Sequence, residues 1–452
     1  MTEKDMEIQR IPKRILNSLL ISVSAGVVPR MGAPYIAIGR KDEIAALLSD
    51  LEQVSEGCGT MRFVIGRYGS GKSFLMQLIR GYALERSFVT ADADLSPERR
   101  LYGASGSGVA TYRELLKNLA TKTSPDGGAL PKMIGRWIDL MRTELLGRGM
   151  DPESEEFAAA MHALAAEKLR QIEFMVGGFD FSRVITEYYR AHVGGDDEKK
   201  SACLRWLRGE FSTKTEARQA LGFSVSVIID DDNWYDFIKL WAILVRFIGY
   251  RGLIVFIDEC VNLYKINHRV SRENNYEKIL SMFNDTLQGR APGLGLILGG
   301  TPQFMDDPRR GLFSYEALRS RLCDSRFASE EYRNLLGPVI RLKRLSDDEL
   351  FALIARITKL YEVNYGQRIR ITQEEMARFL EISLGRAGAD ELMTPREMLR
   401  DYMTVLNILM QNEDATLDRI LSEGAGQSPI AAEDEKLQTG RPRIYQAEDI
   451  EF

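Results

Sequence analysis

Gly66-Arg67-Tyr68-Gly69-Ser70-Gly71-Lys72-Ser73 fills every position of the G-x-x-x-x-G-K-[ST] pattern, with apolar Met61, Phe63, Val64 and Ile65 before it and Phe74-Leu75-Met76 after it. A strand-like run that empties into a glycine-rich loop and then into a helix-like run is the sequence form of a phosphate-binding loop. The glycines let successive backbone N–H groups curl inward. Lys72 is placed for the β/γ-phosphate oxygens and the Ser73 hydroxyl for Mg²⁺. The helix that starts near Lys72 adds the positive end of its dipole. The expected ligand is a nucleoside triphosphate with Mg²⁺, held by Gly66, Arg67, Tyr68, Gly69, Ser70, Gly71, Lys72, Ser73 and Phe74.

Working outward, Leu253-Ile-Val-Phe-Ile257 is an unbroken apolar run that ends in Asp258-Glu259. Such a run suits a strand covered on both faces of a parallel sheet. If that strand lies next to the strand before the loop, Asp258 can hold Mg²⁺ through water, and Glu259 can act as general base on the attacking water. A second run, Leu294–Leu298, leads through Gly299-Gly300 to Thr301, placed to hydrogen-bond the γ-phosphate or the lytic water. Arg319, Arg321 and Arg326 cluster after it, and a planar guanidinium supplied by a neighbouring subunit could complete the site in trans. Arg396, in Thr394-Pro395-Arg396-Glu397 at a helix start, could reach the nucleotide from a later helical region.

The remaining chain frames this core. It has 452 residues, 44% apolar and 28% charged, which is enough for a sizeable core and one large or two to three small domains. The net charge of −5 carries no global basic field of the kind that marks a dedicated nucleic-acid binder. From Glu413 on there are ten acidic and four basic residues, so the body is near neutral and a local basic surface stays open. Cys58, Cys203, Cys260 and Cys323 are scattered, and only His162, His192 and His268 occur, so neither a zinc site nor a disulfide framework is expected. With no signal-peptide core and no apolar run near the roughly 18 residues that span a bilayer, a cytoplasmic location is expected.

The fold expected is α/β: a doubly wound parallel sheet with a helical insertion and a C-terminal helical lid. An N-terminal arm or helix occupies 1–35, with Ile11, Ile15, Leu19 and Leu20 at helical spacing. The nucleotide-binding core covers 36–340, interrupted at about 125–225 by helices. One of these helices is expected to have Asp151 as N-cap and Pro152 at its first position. Helices are also expected at 181–192, 200–209 and 213–221, and over Trp234–Phe247 behind Asp232 or Asn233. The lid covers 341–412, and an acidic tail, expected to be disordered, covers 413–452.

In order, these residues resemble an AAA+ ATPase of the initiator-like branch. Gly39-Arg40 is similar to the adenine-side motif, 66–73 to Walker A, 253–259 to Walker B, Thr301 to sensor 1, Arg319/Arg321 to the arginine finger and Arg396 to sensor 2. Gly66–Phe74, Gly26-Val-Val-Pro-Arg30 and Gly249–Glu259 together resemble the ATP-binding P-loop protein of bacterial BREX phage-defence systems, across roughly 8–412. The resemblance implies an ATP hydrolase in antiphage defence that assembles as a homo-oligomer, with DNA and a helicase or other defence proteins as partners. Residues 413–452 are too few for the winged-helix domain of initiators, and the insertion has no counterpart in a minimal core. The alternative is an ATP-gated switch that hydrolyses slowly and regulates a partner effector. A small-molecule kinase is disfavoured, because consecutive Asp258-Glu259 suits water activation.

Overall fold

The computed structural model describes residues 10–103, 106–324, 333–384 and 394–424. In chain order the elements are α1 (Lys13–Ser24), α2 (Lys41–Ser55), β1 (Thr60–Ile65), α3 (Lys72–Glu85), β2 (Val89–Asp94), α4 (Ser107–Lys117), α5 (Leu130–Gly147), α6 (Glu155–Glu173), α7 (Gly178–Gly194), α8 (Asp197–Leu207), α9 (Lys214–Leu221) and α10 (Trp234–Phe247). There follow β3 (Leu253–Asp258), α11 (Val261–Tyr264), α12 (Arg269–Leu287), β4 (Leu294–Gly300), α13 (Pro302–Asp306), α14 (Glu316–Leu322), β5 (Val339–Arg341), α15 (Asp347–Tyr365), α16 (Gln373–Leu384), α17 (Pro395–Gln411) and α18 (Leu417–Gly424).

Among the described residues the five strands form one parallel sheet in the order β2-β3-β4-β1-β5. The alternation of a strand divides its side chains between two apolar layers. Phe63, Ile65, Val255, Ile257, Leu296 and Leu298 face one layer, shared with α4 to α10 and α12. Val64, Ile254, Phe256, Ile297 and Ile340 face the other, shared with α2 and α3. Burial on both faces is why β3 and β4 read as continuous hydrophobic runs. The order also corrects one expectation. β3 is not next to β1, because β4 lies between them.

The inserted helices belong to the same core. Trp241 of α10 meets Phe181 of α7 edge to face at 4.9 Å, and Trp206 of α8 meets Phe237 at 5.6 Å. The Trp241 indole N–H donates to the Tyr112 hydroxyl at 3.0 Å, and that hydroxyl donates to the Leu207 carbonyl at 2.7 Å, which ties the insertion to α4. Two capping expectations are corrected. Ser154, not Asp151, caps α6 by accepting from Phe157 N–H at 3.1 Å; Asp151 accepts from Glu153 N–H and makes the preceding turn. Asn233 occupies the N-cap position of α10 without a capping bond, because its amide bonds the Asp230 N–H and the Ile228 carbonyl.

Two compact units divide the chain. One runs from Gly39 to Arg344; the other joins the residues up to Ile38 with those from Leu345 on. In the second, α1 buries Leu16, Leu19, Leu20 and Val23 and packs against α15 and α17. Arg356 donates to the Tyr35 carbonyl at 3.0 Å, and Thr358 and Tyr402 share a 2.6 Å hydroxyl bond inside it. The N-terminal stripe of apolar residues is thus covered by the chain's own C-terminal helices. No helix among the described residues is long and apolar enough to cross a membrane.

Candidate functional site

The phosphate loop leaves the C-terminal end of β1 and turns into α3 through Gly69 and Gly71, both left-handed at φ +76° and +87°, where glycine avoids the Cβ penalty. Gly66 is required for a different reason: a Cβ there would lie 2.2 Å from Ser70 Oγ. The Lys72 ammonium donates to the Gly66 and Arg67 carbonyls at 3.0 and 3.1 Å and so spans the mouth of the loop. Burial lowers its pKa, opposed by the charges of Asp258 and Glu259. Arg67 is exposed and Tyr68 is 79% exposed, while Phe74 is half-buried.

Asp258 ends β3 with β4 between it and the loop, yet its Oδ2 accepts from the Ser73 hydroxyl at 2.7 Å. What makes the crossing possible is Gly299. A Cβ on that residue would sit 2.2 Å from Asp258 Oδ1 and 2.8 Å from Met76 Sδ, so only a side chain of hydrogen leaves the carboxylate its path. Glu259 follows in the left-handed region at φ +57°, its N–H donating to Asp258 Oδ1 at 2.8 Å. A non-glycine residue held there stores strain, which concentrates at functional positions. The kink turns the Glu259 side chain outward while Cys260 N–H rejoins the Gly299 carbonyl at 3.0 Å.

Thr301 stands at the end of β4. Its Oγ1 accepts from Phe304 N–H at 3.3 Å and caps α13, which leaves the hydroxyl proton free to be given elsewhere. Gly39 is left-handed at φ +71°, and the buried Arg40 donates to the Ser70 carbonyl at 3.0 Å and the Lys343 carbonyl at 2.5 Å. Arg40 therefore braces the loop from behind, and buried Glu43 lies 3.8 Å from its guanidinium, one helical turn on.

The arginines belong to other elements. Arg319 and Arg321 are exposed on α14, with Arg321 donating to Asn284 Oδ1 at 3.2 Å and the Ala317 carbonyl at 2.7 Å. Arg326 lies outside the described residues. Arg396 begins α17 in the second unit, behind a Thr394/Glu397 capping box, with its stem 3.8 Å from where a Gly26 Cβ would be.

Two residues of the site escape a reading of motifs. Gly299 reads as part of a turn. Asp94, at the end of β2, is the register partner of Asp258; loss of solvent, then the charges of Asp258 and Glu259, raise its pKa. The strand that carries it, Val89-Thr-Ala-Asp-Ala-Asp94, is polar at every second residue toward its end and has no motif to mark it. The loop, the Ser73–Asp258 pair and the cationic Lys72 together fit a nucleoside triphosphate with a divalent cation.

A search of curated proteins gave no match. A family model described as BREX system ATP-binding protein BrxC/D matches residues 11–424, and the chain belongs to that family.

Proposed function

We propose that this member of the BREX ATP-binding family is an AAA+ ATP hydrolase that uses its cycle to assemble or remodel a DNA-associated antiphage complex. The observation that carries the catalytic part is the Ser73–Asp258 bond reached across β4 at Gly299, with strained Glu259 next in sequence. Bound ATP supplies the γ-phosphoryl group, and Mg²⁺ neutralises the charge that develops on its oxygens. Ser73 and Asp258 are the residues that would hold the cation. Lys72, already stripped of part of its hydration, turns from the loop carbonyls toward phosphate oxygens.

Glu259 takes a proton from the attacking water on its outward carboxylate, and Thr301 donates its remaining hydroxyl proton to the same region. Gly39 and Arg40 act through the loop they brace. Arg319 or Arg321 serves a neighbouring subunit in a homo-oligomer, and Arg396 approaches from the helices after Leu345 acting as a lid. A helicase or other defence protein and DNA are the partners on which the cycle would work.

Steady-state phosphate release with nucleotide-binding measurements tests this. Lys72→Ala should lose ATP binding. Glu259→Gln should bind ATP and turn it over at least about a hundredfold more slowly, as expected for loss of a general base. Equal turnover by Glu259→Gln and the parent would remove Glu259 from the mechanism. Slow turnover by the parent that is indifferent to protein concentration and DNA would replace the motor with an ATP-gated switch.

A further inference from the structure

Arg341 is the last residue of β5, and nothing in the motif pattern singles it out. We propose that Arg341 is a positioning residue that couples the phosphate loop to α14 and so sets how Arg319 and Arg321 are presented to a neighbouring copy. This rests on the reading of the protein as an ATPase whose sites are completed between subunits.

Three element ends meet at this residue, one through its backbone and two through its side chain. Its backbone pairs with Ile65, the residue before Gly66, and Leu342 N–H donates to the Ile65 carbonyl at 2.7 Å. Two guanidinium nitrogens grip Asp306, the end of α13, at 2.9 and 2.8 Å in a fork; α13 is the short helix that Thr301 caps. The third, Nε, donates at 2.7 Å to Asp324, just beyond the end of α14. Arg341 also lines a cleft of about 360 Å³ with Gly66, Arg67, Ser70, Pro302 and Lys343, so one face of it borders the first turn of the loop.

Only a planar guanidinium can hold two carboxylates from two elements with fixed directions; an ammonium on a flexible stem does not fix both. α14 needs such a tether at its C-terminal end. It is short, anchored to the core through Leu318 and Leu322, and its exposed Arg321 donates to Asn284 and to the helix's own Ala317 carbonyl. The Asp324 bond therefore links the end of α14 to β5, the edge strand that pairs with the strand leading into the loop.

The test uses full-length Asp324→Ala, Arg341→Ala and Arg341→Lys. Each should bind ATP with a Kd within about twofold of the parent while kcat falls about tenfold or more, the pattern of lost transition-state alignment. Mixing supplies the readout that a merely structural role would not move. Lys72→Ala subunits cannot bind ATP but carry an intact α14; added to Asp324→Ala subunits, whose nucleotide sites are intact, they should restore activity. Thermal melting confirms that each variant folds, and Asp324→Ala, at an exposed position, serves where Arg341→Ala does not. Folded Asp324→Ala with parental kcat, or with a low kcat that Lys72→Ala subunits fail to restore, overturns the proposal. No hydrolysis by the parent itself would instead overturn the ATPase reading on which it rests.

Discussion

Gly299→Ala adds one methyl group at the point where the site is most crowded. The added carbon would be 2.2 Å from Asp258 Oδ1, 2.9 Å from Asp258 Cγ and 2.8 Å from Met76 Sδ. Backbone conformation is no obstacle, since Gly299 is ordinary strand and not among the positive-φ residues. The carboxylate must therefore retreat by about 1 Å, and a displacement of that size at a reacting centre costs on the order of a hundredfold in rate. Overpacking should cost about 1–3 kcal/mol of stability as well. Gly295→Ala on the same strand separates the two effects: its Cβ would press on Ile254 Cδ1 at 2.8 Å, far from any carboxylate of the site. Both variants should melt lower, but only Gly299→Ala should lose kcat at saturating Mg-ATP. Parental turnover in folded Gly299→Ala, or equal loss in Gly295→Ala, would refute the view that the glycine opens a path for Asp258.

Glu259→Gly relieves the left-handed strain, so it should raise stability by about 1 kcal/mol while abolishing turnover; a lower melting temperature would show that φ +57° there costs nothing. Trp241→Ala should remove about 3–5 kcal/mol in urea unfolding, because the ring is buried between α7 and α4; a loss under about 1 kcal/mol would separate the inserted helices from the core. Ser154→Ala should cost about 1 kcal/mol, the usual value of an N-cap, and leave ATP affinity unchanged, whereas altered affinity would implicate α6 in the site. Asp94→Asn should raise the melting temperature, by removing a charge that is desolvated and then repelled by Asp258 and Glu259, and the smaller, repulsive part of the gain should shrink with added salt; an unchanged or lower melting temperature would show that the Asp94 charge costs the fold nothing.

The phosphate loop and the acidic end of β3 are legible because their chemistry demands particular residue types at fixed spacing, and because strands buried on both faces must be apolar throughout. Strand order is a different kind of information. Nothing in Leu294–Gly300 says that it slots between β1 and β3, since that placement depends on which crossovers pack, and so the need for a glycine at 299 was hidden. The same limit applies to α1: Leu16, Leu19, Leu20 and Val23 announce a face that needs cover, but not that the cover comes from beyond residue 345. Asp151 and Ser154 show the limit at short range. Both are good caps, and only the turn made by Asp151 with Glu153 decides between them.

Gly299-Gly300-Thr301 gathers these constraints into three residues. Side chains alternate along a strand, so 299 and 301 face one side of the sheet and 300 the other. On the first side, absence of a side chain at 299 lets Asp258 cross to Ser73, and two residues on, the Thr301 hydroxyl caps α13. On the other side, a Cβ at 300 would lie 2.5 Å from the ring of Phe304, the residue whose N–H bonds Thr301. The second glycine therefore lets Phe304 close onto β4, and that closure holds the Thr301 hydroxyl with its acceptor side engaged and its proton available. What reads as a flexible turn is instead two adjacent glycines with separate steric reasons, one clearing the path of a carboxylate and one fixing the direction of a hydroxyl.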